Sequence, residues 1–181
     1  HEGIWAKARA TESQIIESES AVEISKSSDF GLERVELEFD VDNETINTPL
    51  HLLGNHQIDN ARTAIATLIE LGEAGIHTHN GAIGAGIENV NWPARHQLVT
   101  SDPVPIFVDG AHNNASAIAL RESVEHLFPH RNETIIIFGT IRGHDPTAVI
   151  RELAPLNPKI VVTESRHPKS LTELELSEAL G

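Results

Sequence analysis

Cysteine and methionine are both absent from these 181 residues, and basic residues are scarce, with 13 Lys and Arg against 27 Asp and Glu. Without cysteine there are no disulfides, thiolate metal sites or cysteine nucleophiles. Position 1 is histidine rather than methionine, so His1 is not expected to be a natural start, and the chain reads as a fragment. No apolar run approaches the roughly 18 residues a membrane helix needs, and no charged-then-apolar leader opens the sequence. A cytoplasmic protein without a membrane partner is expected. The formal charge of -14 argues against nucleic acid as partner, because phosphate-backbone binding needs clustered Lys and Arg to displace counterions. No Gly-x-Ser-x-Gly, His-Glu-x-x-His or Gly-Lys pair occurs, which removes the usual signatures of hydrolases, zinc proteases and P-loops. Two Asn-x-Thr matches, at Asn43 and Asn132, read as chance.

What is present is a globular balance, 39% hydrophobic and 22% charged, enough to bury a core. From Ile4 to about Asp29 a helix end followed by a strand is expected. Val35 to Val41 alternates apolar and acidic residues, the period of a strand with one wet face, and Asp42-Asn43 then turns the chain. Ile58, Ala61, Ile65, Leu68 and Leu71 recur at helical steps and predict one buried stripe, with Asn60, Thr63, Thr67 and Glu70 opposite. Gly72 and Gly75 end that helix, and a second spans Asn80 to Glu88 with Ile83 and Ile87 on one face.

After Asn91-Trp92-Pro93 the pattern becomes parallel α/β: strands at Pro105–Val108, Thr134–Phe138 and Lys159–Thr163, helices at Asn114–Phe128 and Pro146–Leu153. Thr134–Phe138 reads as a buried strand. Asp145-Pro146 is a strong helix start, a capping carboxylate followed by a residue that needs no donor. Trp92 is expected to fill a joint between domains.

The three strands run into polar loops, Asp109 to Asn114, Gly139 to Asp145 and Thr163 to Pro168, and open α/β sheets bind ligands outside the carboxyl ends of their strands. In the first loop Asp109 suits ribose hydroxyls, Gly110 a tight turn and His112 a carboxylate or phosphate; equally, Asp109 caps the turn and His112 packs on the next helix. Asn60, near a helix start, offers the donor and acceptor that read an adenine edge, or is simply solvated. Arg95 has the planar fork that suits phosphate oxygens, or is a surface arginine. Arg142, His144 and Asp145 are weaker candidates for ligand contact, and His77-Thr78-His79 has only poor metal spacing.

Taken in order, Leu52-Leu53-Gly54-Asn55-His56-Gln57-Ile58-Asp59-Asn60-Ala61, Asn91-Trp92-Pro93-Ala94-Arg95 and Val108-Asp109-Gly110-Ala111-His112-Asn113 resemble the folylpolyglutamate and dihydrofolate synthases of the Mur ligase superfamily. The resemblance runs from roughly Leu50 to Lys169. It implies an α/β fold with a Rossmann-like C-terminal Mur ligase domain (93–181) preceded by the tail of the central ATP-binding domain (1–92), cut at both ends. It also implies that Asn60 contacts adenine, Arg95 the phosphate chain, Asp109 the ribose or a nearby part of ATP, and His112 the incoming L-glutamate. ATP would phosphorylate a folate or dihydropteroate carboxylate, and the amine of glutamate would attack the acyl phosphate with Mg2+ as cofactor. No catalytic residue and no metal ligand is assigned within this chain. A monomeric parent is implied, and the 181 residues alone are expected to be inactive.

Two departures accompany the resemblance. Gly143-His144-Asp145 stands where the family usually has Asp-Lys-Asp, and Lys169 where Arg is common. A peptidoglycan or cyanophycin-type amino-acid ligase is an alternative, although Gly110 replaces the aromatic residue usual there. A non-catalytic α/β nucleotide-binding module is the other.

Overall fold

β2 (Val35–Val41) forms over the residues whose alternation predicts it. Its Leu37, Phe39 and Val41 are buried, and it lies between β1 (Glu23–Asp29) and β3 (Glu44–Leu50) in an antiparallel sheet. The computed structural model describes residues 2–41 and 44–181, so the turn expected at Asp42-Asn43 and the Asn43 match lie outside the described residues. β3 is a strand the sequence pattern did not announce. Its register sets Ile46 opposite Phe39, Thr48 opposite Leu37 and Leu50 opposite Val35.

Two short helices, α1 (Glu2–Ala10) and α2 (Ser18–Ala21), precede β1. α3 (Asn55–Glu73) follows the sheet. Of the five aliphatics expected on its buried stripe, Ala61 and Ile65 are buried, Ile58 and Leu68 half-buried and Leu71 exposed, while Gln57 and Ala66 are buried as well. The stripe begins one residue earlier and is partly polar. Asn60, Thr63, Thr67 and Glu70 face solvent as the periodicity implies.

α4 (Asn80–Glu88) matches its expected bounds. His79 caps it, Nδ1 accepting from Ala82 N at 3.0 Å. Its mid-helix Gly84 lies against β3: Thr48 Oγ1 donates to Gly84 O at 2.9 Å, and a Cβ on Gly84 would make ordinary contact with β3 at 3.6 Å.

The chain divides into two compact units, one of residues 1–51 and 57–90, the other of residues 52–56 and 91–181. In the second unit β4 (Gln97–Thr100) pairs antiparallel with β5 (Ile106–Val108), while β6 (Ile135–Phe138) and β7 (Lys159–Val162) are parallel. This corrects the all-parallel reading. β4 was not foreseen, and β5 spends its ladder on it. Helices α5 (Asn114–Leu127), α6 (Pro146–Leu153) and α7 (Glu173–Leu180) complete the unit.

Ala117, Phe138, Val149, Leu153, Leu156 and Leu176 form its core, with Ile136 and Val162 packed against them. β6 is buried on one face only, since Ile135 and Ile137 are 62% and 74% exposed. Asp145 caps α6 with Pro146 at its first position, as expected.

At the ends of the parallel strands the backbones close up. A Cβ on Gly139 would lie 2.8 Å from the carbonyl oxygen of Thr163, whose own N–H donates to Phe138 O at 2.9 Å. Gly139→Ala must therefore push the strand ends apart and is expected to cost about 2 kcal/mol. A urea-denaturation midpoint unchanged by this substitution would show that the ends are not so tightly set.

Candidate functional site

The loop after β5 is folded by the side chain of its first residue. Asp109 Oδ1 accepts from Ala111 N at 2.7 Å, and Oδ2 accepts from His96 N at 2.9 Å, thirteen residues earlier. The side chain is 9% exposed. Asp109 is therefore a turn cap, and it also ties the start of β4 to the end of β5. A carboxylate has about four lone-pair directions, so two backbone bonds leave it able to accept from a ligand as well.

Asn113 begins α5 as a two-way cap, its Oδ1 accepting from Ser116 N at 2.9 Å while Ser116 Oγ accepts from Asn113 N at 3.1 Å and from His112 N at 3.0 Å. Ser116 N, one of the first amides of the helix, is thus satisfied by the cap. His112 Nδ1 lies 2.9 Å from Gly110 O. A carbonyl can only accept, so the proton is on Nδ1.

The ring of His112 meets that of His144 at 4.7 Å. His144 comes from the loop after β6, where its Nδ1 is 3.3 Å from Thr140 Oγ1. That loop is joined in turn to the loop after β7, with Arg142 N donating to Lys169 O at 2.7 Å and Leu171 N to Thr140 O at 2.9 Å. All three loops predicted to gather at the strand ends do so.

Arg142 is not free to meet a ligand. Its two terminal nitrogens donate to the Glu175 carboxylate at 2.6 and 2.9 Å. That pairing, with help from the Thr172 cap, holds the Glu175 carboxyl down to about 2.

Arg95 differs. Among the described residues its guanidinium makes no hydrogen bond or ion pair; it lies over Trp92 at 5.7 Å, and its Nη1 would be 3.4 Å from a Cβ on Gly110. Trp92 is 60% exposed. The backbone on either side of Arg95 is left-handed, with φ of 58° at Ala94 and 43° at His96. Non-glycine residues adopt this at a cost of the order of 1 kcal/mol each, and such strain concentrates at functional sites. Ala94 N donates to Gln97 Oε1 at 3.0 Å, which helps to hold the bend.

Asn60 lies on α3 in the other unit, exposed, with its Nδ2 donating to the buried Gln57 Oε1 at 3.0 Å. The amide is thereby oriented, and Oδ1 is left as an acceptor.

His96 received no role from the sequence, yet it is 2% exposed beside Asp109, with Nδ1 3.7 Å from Oδ2. Burial pushes its imidazole down to about 4; Asp109 pulls upward, and His56 adds to the lowering. The pair is therefore a neutral histidine beside a carboxylate, not a salt bridge. Between about 6.5 and 4 the unfolded chain binds a proton here that the folded chain refuses, so this contribution to stability is full above pH 6.5 and declines as pH falls through that window. Replacing His96 with Phe is expected to flatten the pH dependence of the denaturation midpoint between 6.5 and 4. An unaltered slope would contradict the neutral state.

Residues 94–181 match the family described as Mur ligase, glutamate ligase domain. The chain is 32% identical over 138 residues to a dihydrofolate synthase/folylpolyglutamate synthase of Mycobacterium tuberculosis, covering 75% of this chain and 28% of that protein. It is 32% identical over 112 residues to a probable bifunctional folylpolyglutamate synthase/dihydropteroate synthase of Halobacterium salinarum, covering 62% and 13%. The chain thus spans less than a third of the length of either relative. The structure of Mycobacterium tuberculosis folylpolyglutamate synthase complexed with ADP and AMPPCP superposes with a TM-score of 0.84 at 24% identity, over 99% of this chain and 40% of that one. For the Thermotoga maritima folylpolyglutamate synthase the score is 0.70 at 21% identity, over 96% and 40%. At these identities the likeness shows a shared fold. No described helix is long and apolar enough to cross a membrane.

Proposed function

From the match of residues 94–181 to the glutamate ligase domain of the Mur ligases we propose that the protein is an ATP-dependent ligase joining L-glutamate to folate or dihydropteroate. Arg95 carries this reading: a guanidinium unpaired among the described residues and laid along Gly110, beside a loop whose carboxylate is held by two backbone amides. A planar fork of donors suits phosphate oxygens, and the remaining lone pairs of Asp109 suit a ribose hydroxyl. Asn60 contributes Oδ1 as acceptor for the exocyclic amine of adenine. His112, next to the phosphate-binding arginine's loop, receives the incoming amino acid.

In this scheme ATP phosphorylates the substrate carboxylate, and the amine of glutamate then attacks the acyl phosphate and expels phosphate. The two compact units support a division into an ATP-binding part (1–92) and a glutamate ligase part (93–181). Magnesium belongs to the same proposal, as the ion that neutralises charge on the phosphates. Among the described residues no three His, Cys, Asp or Glu side chains are grouped to hold a metal.

The 181 residues have no Gly-Lys pair for a phosphate-binding loop, so alone they are expected to give no glutamate-dependent ADP release. The gene upstream of His1 tests the reading cheaply. A Gly-Thr-Asn-Gly-Lys-Gly-Ser-like stretch is expected there, and its absence from the natural protein would overturn the ligase assignment.

A further inference from the structure

Behind the Asp109 loop runs a polar chain, fully buried at His96, that a simple core would not contain. His56 Nε2 lies 3.2 Å from His96 Nδ1, the two rings meet at 4.5 Å, and the same Nδ1 is 3.7 Å from Asp109 Oδ2. His96 Nε2 is sealed from solvent and, among the described residues, has no hydrogen-bond partner. Leaving a buried polar atom unpaired costs stability that an aliphatic side chain would not.

The surrounding backbone is nevertheless arranged to keep both rings where they are. His96 sits in the left-handed region, at φ of 43°. Gly54 has φ of 99°, and a Cβ there would lie 2.7 Å from His56 Cε1, so the space of a side chain is given to that ring. Gly54, His56 and His96 all belong to the same compact unit as Asp109.

The geometry also selects a tautomer. An orphaned buried N–H is rarer than an under-satisfied acceptor, so the bare Nε2 of His96 is the lone-pair side and the proton is on Nδ1. That N–H donates to His56 Nε2 and turns its positive end toward Asp109 Oδ2. The same oxygen already accepts from the His96 backbone N–H. Two N–H dipoles from one residue thus steer the carboxylate without cancelling its charge.

We propose that His56 and His96 are positioning residues, a relay that fixes the Asp109 carboxylate and, through it, the course of Gly110 and Ala111 against Arg95. His56 anchors the relay by accepting from His96; His96 acts on the ligand only through Asp109. The inference rests on the reading of Asp109 as a nucleotide contact.

The test is steady-state kinetics in the protein as its gene encodes it, with His56→Phe, His56→Gln and Asp109→Asn compared. Phe keeps a ring beside Gly54 but removes the acceptor, and Gln restores a carbonyl acceptor. His56→Phe is expected to raise the KM for ATP about tenfold, with kcat and the KM for glutamate changed less than about twofold, because misplacing a contact weakens binding before chemistry. His56→Gln should recover most of the loss.

If Asp109→Asn raises the KM for ATP while His56→Phe leaves it unchanged, the relay is refuted and the nucleotide reading stands. If Asp109→Asn also leaves it unchanged, the nucleotide reading falls and takes the relay with it. Nitrogen-15 NMR of the histidine rings in the unsubstituted protein gives a check that needs no variant to fold. A proton on His96 Nδ1 is expected, and a proton on Nε2 instead would overturn the relay.

Discussion

Replacing Arg95 with alanine is expected to lower kcat/KM for the proposed ligase reaction of the protein as its gene encodes it about a hundredfold, the effect of removing one charged donor from a developing phosphate charge. The melting temperature should hardly move. The guanidinium is exposed and, among the described residues, makes no ion pair; its ring contact with Trp92 at 5.7 Å is worth about 0.5 kcal/mol at an exposed site. A large loss of activity with little loss of stability separates a ligand-binding arginine from a structural one. Arg95→Lys keeps the charge but not the fork, and should recover only part of the loss. If Arg95→Ala were as active as the parent protein, the arginine would be an ordinary surface residue.

Asp109→Ala is expected to act on both quantities. It leaves the amides of His96 and Ala111 without their acceptors in a site only 9% exposed, and an orphaned donor costs about 1 to 3 kcal/mol. Together the loss should be about 3 kcal/mol in chemical denaturation. Asp109→Asn retains one oxygen but turns an NH2 toward a backbone N–H, so it should also destabilise, by less. A stability equal to that of the parent protein would mean that the carboxylate does not hold the loop.

The sequence read best where a local rule had no competitor. α4 and α6 fall on their expected bounds, because a helical period with a clear stop, or an Asp-Pro start, is decided within a few residues. β2 is likewise a clean alternation. β3 was missed because its inward positions are Ile46, Thr48 and Leu50, and the threonine is buried by a bond to the Gly84 carbonyl in a distant helix. Pro49 beside it further obscures the strand pattern. β4 was missed since Val99 is exposed and its pairing with β5 is set by the tie from Asp109 to His96. That tie spans thirteen residues, which no periodicity reports.

The site shows the same division. Asp109, Gly110 and His112 sit together because they are neighbours in sequence, and Arg95 is brought beside them by the pairing of β4 with β5. Arg142 carried the right chemistry for a ligand contact but is taken by Glu175, a residue of a helix to which the loop motif gave no clue. His96 looked like a neighbour of Arg95 and is instead the buried support of Asp109.

The most direct test is to express the protein as its gene encodes it and follow radiolabelled L-glutamate into a folate acceptor while measuring ADP. Label should enter the folate in step with ADP release, both depending on ATP and both lost in Arg95→Ala. Glutamate-independent ATP hydrolysis, or label transfer indifferent to Arg95, would contradict a ligase built around this loop.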